Sequence, residues 1–531
     1  MTDLTDAGGV AEEGLAAETE LKFELTSVDL RRLAKHPAFE QAPRVRRLVS
    51  TYFDTPGFDL RKHGLSLRVR KVDGRYVQTV KRNRSSDIFD RDEWEAATPT
   101  AKPVAEAIAV TPVAKVLKKA EAPVAAVFAT NVERATRLWT TGGAVVEISV
   151  DKGFIRAGQR REKLWELELE LKAGDPAALY ALARELFEKA PIRLSLTTKG
   201  ERGYRLASPD APKRAPNPPL LPQMTVSEAF SAVLRSCLVQ VVAASDAFRR
   251  APSAEAIHQT RIGLRRTRTA LKIFRPAAED GRSEWLNGEI RWLAGELSPA
   301  RSLDVFKDEI FAPEALTDPK AGARYAQQLE KSRAAAYARA GEALASTRFS
   351  RLTLELALWV EDGAWRHTPD PGRAALLVGE IGGFAVDALD HLRRVVRKRG
   401  KDIEALDPDR RHQLRIRAKR LRYATEFFAR ALGEEGRRRK RFAGALKALQ
   451  ASLGRLNDIA HAGATAQLAL DGASSKALTF AAGELAGRAR GQEPAVLIEA
   501  AAAYDDFAGA KPYWPRARRE KPEAEASDPT P

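Results

Sequence analysis

The sequence predicts an α+β protein of two domains, an antiparallel β-barrel followed by an all-helical domain. Three observations predict it. Up to about residue 206, short runs alternate apolar and polar residues with the period-two pattern of strands. Residues 208–222 then hold a proline-rich stretch that reads as a semi-rigid, extended linker. From about 225 to 509 the pattern is helical, dominated by Ala, Leu, Glu and Arg. The expected divisions are a small, acidic, flexible leader at 1–16, a barrel domain at 17–207, the linker, a helical domain at 223–510 and a disordered tail at 511–531.

The barrel domain is organised around Glu18-Thr19-Glu20-Leu21-Lys22. As a strand, it sets Glu18, Glu20, Lys22 and Glu24 on one face and Leu21, Phe23 and Leu25 on the other. A charged face by itself can simply meet water, but later runs repeat it. Arg68 and Arg70 oppose Leu65, Leu67 and Val69. Thr79 and Lys81 share a face, as do Arg91, Glu93 and Glu95 around Trp94. Glu147, Ser149 and Asp151 form another polar row, and Glu166, Glu168 and Glu170 alternate with leucines. Carboxylate and cation strands in one sheet suggest a closed barrel with a charged lumen. Such a lumen fits a polyanion held by Lys and Arg, with divalent metal held by Glu oxygens. Between strands, Asp73-Gly74 signals a hairpin, residues 104–121 and 175–190 read as helices, and Asp175-Pro176 is a helix start.

Charge narrows the partners. Across 531 residues, Lys and Arg number 88 against 71 Asp and Glu, a formal net charge of +17. An anionic partner follows: nucleic acid, anionic lipid or polyphosphate. The lone cysteine, Cys237, excludes an internal disulfide framework, suits a reducing cytoplasm and reads as a small buried residue. No signal peptide is evident, and no apolar run is expected to reach the roughly 20 residues of a membrane span. There is no HExxH, no cysteine cluster for zinc and no Walker loop.

The helical half contains a repeat. His258-Gln-Thr-Arg261-Ile-Gly-Leu-Arg265-Arg-Thr-Arg268 matches His412-Gln-Leu-Arg415-Ile-Arg-Ala-Lys419-Arg-Leu-Arg422. In the first copy His258, Arg261, Arg265, Arg268, Lys272 and Arg275 step by three and four, an arc of about 100° on a helix. No acid interrupts that copy. The second gives His412, Arg415, Lys419 and Arg422 before turning to Glu426. One basic stripe can be a solvated face; a repeated, one-sided and locally unneutralised one points to a bound polyanion. Nucleic acid is disfavoured because Tyr423 is nearly alone as an interleaved aromatic.

Two family resemblances follow from these residues. Glu18-x-Glu20-x-Lys22, Tyr52-Phe-Asp-Thr-Pro56, Leu67-Arg-Val-Arg70, Lys81, Glu166-Leu-Glu-Leu-Glu170 and Lys199-Gly-Glu-Arg202-Gly-Tyr204 stand in the order of the CYTH domain, the triphosphate tunnel metalloenzyme fold. The later half resembles the CHAD domain through the two His-x-x-Arg stripes and Leu453-Gly-Arg-Leu-Asn457-Asp458. The family's first-half counterpart usually reads Leu-Gly-x-x-Arg-Asp. Here it is Leu297-Ser-Pro-Ala-Arg301-Ser302, with Ser302 where an Asp is expected. The chain as a whole is similar to bacterial CYTH-CHAD inorganic triphosphatases.

The resemblance implies an eight-stranded antiparallel tunnel followed by tandem four-helix bundles. It implies metal-dependent hydrolysis of inorganic triphosphate, with Mg or Mn as the cation. Glu18 and Glu20, with one or more of Glu166, Glu168 and Glu170, would hold metal. Lys22, Arg68, Arg70, Lys81, Lys199 and Arg202 would hold phosphate oxygens, and Glu18, Glu20 and Lys81 would be catalytic. The helical half would bind inorganic polyphosphate through His258, Arg261, Arg265, Arg268, Lys272, His412, Arg415, Lys419 and Arg422. The expected location is the cytoplasm, with association to polyphosphate granules. The alternatives are a non-catalytic polyphosphate adaptor, a nucleic-acid-binding protein, or a tunnel enzyme acting on an organic triphosphate as an adenylate cyclase or thiamine triphosphatase. The sequence leaves the general base, the number of metals and the oligomeric state open.

Overall fold

The computed structural model describes residues 19–83, 91–208, 217–218, 220–433, 436–472 and 475–515. The chain divides into two units, one ending at Ala211 and the other beginning at Pro212. Glu18, the leader, most of the linker and the end of the tail lie outside the described residues.

The first unit is one antiparallel sheet. Its strands are β1 Glu20–Glu24, β2 Arg44–Asp54, β3 Leu65–Val72, β4 Arg75–Asn83, β5 Arg91–Thr98, β6 Ala125–Thr141, β7 Ala144–Ala157, β8 Arg160–Ala173 and β9 Arg193–Leu194. They run in the order β5-β4-β3-β2-β6-β7-β8-β1-β9. Alternation forms these strands as expected, but the sheet has nine strands, not eight, and is not a closed ladder. The short β9 takes the free edge of β1, pairing Phe23 with Leu194 and Glu24 with Arg193, and no ladder joins it to β5. The sheet nonetheless curls strongly. Burial and Arg68 lead the lowering of the Lys81 pKa on β4, and Lys22 on β1, six strands away, adds to it; in a flat sheet about 29 Å would separate the two lysines.

The apolar face of β1 and β8 is sealed, with Leu21, Phe23, Leu167 and Leu169 fully buried. Helix α1, Pro176–Lys189, packs over β7 and β8, starting at the Asp175 cap and burying Leu179, Leu182, Leu186 and Phe187. Residues 104–121 form two short helices, Ala105–Ala109 and Val113–Ala120, instead of one. Pro112, at the second helix's N-cap, has no N–H to continue the first. The hairpin Asp73-Gly74 has positive φ at both residues, 48° and 84°, as a tight two-residue connection requires.

Helix α2, Lys199–Ala207, packs on β6, β7 and β8. A capping box between Thr198 and Glu201 sets its start. Its Tyr204 meets Phe128 edge to face, and Tyr52 stacks on Phe128 with centroids 4.4 Å apart. Gly203 must be glycine here, since a Cβ would lie 2.0 Å from the Phe128 ring.

The second unit is helical from Val226 to Gly509 among the described residues. The helices needed below are α3 Val226–Arg250, α4 Ala254–Ile273, α5 Gly281–Glu296, α6 Ser298–Glu309, α7 Pro408–Phe427 and α8 Arg437–Leu470. Helix α3 corrects the expectation that no apolar segment approaches a membrane span. It is long and apolar enough by composition, but 67% of its most apolar window is buried within the protein. It also carries the buried Cys237 and Asp246. It is a core helix.

Candidate functional site

The sheet's register assembles a charged face from residues far apart in sequence. Across β1, β8 and β7, Lys22 faces Glu168, which faces Ser149, and Glu24 faces Glu166, which faces Asp151. Across β2, β3, β4 and β5, Tyr52 faces Arg68, which faces Thr79, which faces Glu95; Ser50 faces Arg70. Helix α2 adds Lys199 and Arg202 to the same face.

At one end of this face the charges neutralise each other. The Lys199 ammonium lies 2.9 Å from Asp151, 2.5 Å from Glu166 and 2.6 Å from Glu168. Arg134 donates to Asp151 at 2.8 and 2.7 Å and to Glu168 at 2.5 Å. Arg202 reaches Glu166 at 3.0 Å and Glu162 at 2.8 Å through Nε. Three cations thus balance Asp151, Glu166 and Glu168, all buried. Burial opposes ionisation of Glu168, but Lys199 and Arg134 hold its carboxyl well below the usual carboxylate range. Asp151 is likewise held low against burial, chiefly by Lys199. Burial works against the Lys199 charge too, but Asp151 and Glu166 raise its pKa well above that of a free lysine.

Further along the face, cations are less compensated. Arg70 donates from Nε to Ser50 Oγ at 3.0 Å. No carboxylate lies within ion-pair distance of it among the described residues. Burial, then the adjacent Arg68, pushes its pKa down to about 10. Arg68 reaches Glu93 only at 3.4 Å and Glu95 at 4.0 Å. Lys81 is held by Glu93 at 2.6 Å, yet burial and Arg68 lower its pKa. Burial would raise the Tyr52 pKa, but Arg68 and Arg70 draw it below the ordinary phenol value.

Carboxylates that could hold a metal fall in two places. The oxygens of Asp151, Glu166 and Glu168 lie within 4.8 Å of one another. Lys199 is already within ion-pair distance of all three, so this cluster carries its own counter-charge. Beside it, Glu147, Glu170 and Glu20 stand directly opposite one another across β7, β8 and β1. Like charges so placed destabilise a sheet unless a cation sits among them. Lys22 takes one Glu20 oxygen and Lys172 one Glu170 oxygen, both at 2.5 Å. This all-oxygen row, with Glu168 alongside, fits a hard divalent cation.

The register therefore brings together Glu20, Lys22, Glu166, Glu168, Glu170, Arg68, Arg70, Lys81, Lys199 and Arg202 on one face; Glu18 lies outside the described residues. Sequence reasoning passed over Arg134, Tyr52 and Glu93 as site residues. Glu93 and Asp151 had a signal in their alternating rows. Arg134 had none, because its neighbours on that face of β6 include Val132 and Phe128.

In the helical unit, α4 and α7 line a cavity of about 650 Å³ with Arg261, Arg265, Arg268, Lys272, Arg415 and Lys419. His412 lines it as well, and its Nδ1 shares a 2.6 Å hydrogen bond with Asn457 Oδ1. Arg265 donates to the buried Tyr423 hydroxyl at 3.1 Å. Arg422 is engaged by Glu426 at 3.5 Å, within its own helix. Lys419 suffers most: burial, then Arg265 and Arg415, pushes its pKa down to about 6, with Asp458 opposing. His258 falls to about 4 through burial and Arg301. Among the described residues that line the cavity there is no Phe, Tyr or Trp, and His412 is the one aromatic ring.

Comparison with known proteins matches this division. The family model of the CYTH domain matches residues 16–204, and that of the CHAD domain matches 232–467. An inorganic triphosphatase of Haemophilus influenzae is 30% identical over 168 residues, 30% of this chain and 46% of the relative, so the match spans less than half of that protein. Among solved structures, the CHAD domain of the plant Ricinus communis is 32% identical with a TM-score of 0.49, covering 56% of this chain and 96% of that one. PptA of Streptomyces chartreusis is 21% identical with a TM-score of 0.41, covering 53% and 100%.

Proposed function

For a chain that carries a CYTH domain joined to a CHAD domain, we propose metal-dependent hydrolysis of inorganic triphosphate by the sheet unit and binding of inorganic polyphosphate by the helical unit. The observation that carries the first half is Arg70: a partly buried guanidinium beside Arg68 with no carboxylate within ion-pair distance among the described residues, on the same face as a row of carboxylates. A cation pair of which only Arg68 meets carboxylates, at 3.4 and 4.0 Å, on one face with a carboxylate row suits a metal–polyanion complex better than either partner alone. The triphosphatase relative supports the substrate class. We read the curled sheet as the wall of a tunnel and the helical unit as tandem four-helix bundles.

In this reading Arg68, Arg70, Lys22 and Lys81 neutralise and orient the phosphate oxygens, which is most of what phosphoryl transfer asks of a protein. Lys81, partly buried and held by Glu93, would stabilise a leaving phosphate. Glu20, Glu168 and Glu170, with Glu18, would hold Mg or Mn. That ion, when bound, supplies Lewis-acid polarisation and an activated water. Lys199 and Arg202, implied by the family resemblance as phosphate ligands, are engaged by carboxylates, and the role we propose is to hold Glu166 and Glu168 in place. We propose a cytoplasmic location beside polyphosphate granules, which rests on the polyphosphate binding proposed above and on the single cysteine of the sequence.

The test is phosphate release from tripolyphosphate, long-chain polyphosphate, ATP and thiamine triphosphate side by side, with and without EDTA. Release from tripolyphosphate that needs metal is expected. Turnover surviving EDTA, or a wild type inert on all four, would remove the enzymatic reading. For the helical unit, long-chain polyphosphate is titrated against the full chain. Displacement by single-stranded RNA at comparable phosphate concentration would mark a general polyanion surface instead; with no Phe, Tyr or Trp among the described lining residues, none is expected.

A further inference from the structure

The sheet carries charge on its other side as well. Directly opposed residues of antiparallel strands share a side, and alternate residues along each strand turn away from the candidate site. On that outward side Lys152 of β7 faces Trp165 of β8 and Glu133 of β6, and Glu133 faces Arg47 of β2. The next row runs Lys163, Phe154, Asn131, Val49 and Lys71 across β8, β7, β6, β2 and β3. At the usual strand spacing that row is roughly 19 Å long, enough for several nucleotides or phosphates. The row beyond it opens with Arg161 opposite Arg156.

Arg47, Lys71, Lys152, Arg156, Arg161 and Lys163 are exposed, and among the described residues none has a carboxylate within ion-pair distance. Glu133 is the one acid in these rows. Set among the cations are two half-buried rings. The Arg161 guanidinium lies 3.9 Å from the Phe154 ring centroid, and the Lys163 ammonium 3.7 Å from the Trp165 ring. Phe154 pairs with Lys163, two residues from Trp165, so the rings are diagonal neighbours with a separation of roughly 7–8 Å.

Cations alone fit any polyanion. Cations interleaved with flat rings fit one whose repeating unit carries a π face as well as a phosphate, and that is single-stranded nucleic acid. The two helical stripes lack such rings; this face has them. Inorganic polyphosphate would leave both rings unused. An anionic membrane would call for apolar side chains that project from the surface, whereas these rings are half-buried beneath cations. An exposed cation over a ring is held more weakly than a base stacked on it, so Arg161 and Lys163 would yield the rings to bases and turn to the phosphates.

We propose that the outward face of β2, β6, β7 and β8 is a platform for single-stranded nucleic acid. Bases stack on Phe154 and Trp165, and the phosphates between them meet Arg47, Lys152, Arg156, Arg161 and Lys163. The platform lies on the sheet unit, on the side opposite the carboxylate row, and does not depend on the triphosphate or polyphosphate readings.

The experiment is fluorescence anisotropy of the full-length chain in EDTA with labelled oligouridylate and oligothymidylate of about 15 nucleotides. Both strands should bind. Phe154→Leu and Trp165→Leu should each weaken binding by roughly five- to a hundredfold, and Trp165→Phe, which keeps a ring, should retain most of the affinity. Lys152→Gln combined with Lys163→Gln should reduce the slope of log affinity against log salt by roughly 1.4, two phosphate contacts' worth. Circular dichroism and thermal midpoints verify folding. Leucine variants within twofold of the parent, or a duplex of the same length bound as tightly as the single strand, would make this face a general polyanion surface and overturn the proposal. Binding lost in Arg265→Glu/Lys419→Glu but kept in the sheet variants would move the strand to the helical cavity. Sedimentation with phosphatidylserine vesicles that is lost in Trp165→Leu would make the face a membrane surface. Either of these, or a parent protein that binds no strand, overturns it equally.

Discussion

Arg70 and Ser50, directly opposite on β3 and β2, share a 3.0 Å hydrogen bond from Nε to Oγ, and that hydroxyl is the side-chain partner the guanidinium has. The sheet holds a partly buried positive charge in place without pairing it to a carboxylate among the described residues. Arg70→Ala should therefore lower kcat/KM for tripolyphosphate by roughly 10- to 150-fold, the worth of a charged hydrogen bond of about 1.5–3 kcal/mol. Because Arg68 and Arg70 repel, the thermal midpoint should not fall with it. Steady-state phosphate release and thermal denaturation on the same variant separate the two effects.

Glu20 and Glu170 face each other in register, and each is balanced by a lysine of its own strand. Glu20→Gln and Glu170→Gln keep shape and remove ligand charge. Turnover should drop by orders of magnitude, and the Mg or Mn concentration for half-activation should rise. Metal titrations of phosphate release check this; unchanged half-activation would move the cation elsewhere.

The Lys199 cluster makes a stability prediction with a definite pH window. Glu168 and Asp151 have folded-state pKa values below their unfolded ones, so their contribution is present above about pH 4.5 and is lost as pH falls through the lowered values. Lys199 is raised, so its contribution is present below the ordinary lysine pKa and fades only at strongly alkaline pH. Lys199→Met leaves only Arg134 and Arg202 against three buried carboxylates and should cost about 3–5 kcal/mol at pH 7. That cost should shrink toward pH 3, where the carboxylates protonate. Urea unfolding at the two pH values measures it.

Lys419 should take up a proton when polyphosphate binds. Its pKa of about 6 in the free protein leaves it mostly neutral at pH 7, with His258 at about 4, Arg265, Arg415 and Arg422 as neighbouring cations and Asp458 as the opposing acid. A bound anion favours the ammonium. Affinity should be highest below pH 6 and decline as pH rises above it. Calorimetry at pH 7 in buffers of different ionisation enthalpy should show net uptake, and Lys419→Met should reduce it.

Long-polyphosphate affinity should also fall steeply with salt, since the polyanion releases condensed counterions. Charge reversal of Arg265 together with Lys419 should lose far more affinity than reversing an exposed arginine such as Arg410 or Arg437. Titrations across a salt series read both.

Much of this was legible in the chain itself. Period two in Glu20-x-Lys22, Arg68-x-Arg70 and Glu166-x-Glu168-x-Glu170 put each set on one strand face, because side-chain alternation is local geometry. The Asp73-Gly74 hairpin, the Asp175 cap and the two basic stripes were likewise local and are present. What the tertiary structure decided is which charges are already paid off. Lys199 and Lys22 look alike in sequence, yet the packing of α2 sets Lys199 among three carboxylates. Arg70 and Arg134 look alike, yet register gives Arg134 two carboxylates and Arg70 a hydroxyl. The residues that carry charge are determined by sequence, whereas the net charge at a point depends on distance, and distances between strands and helices exist only once the chain has packed.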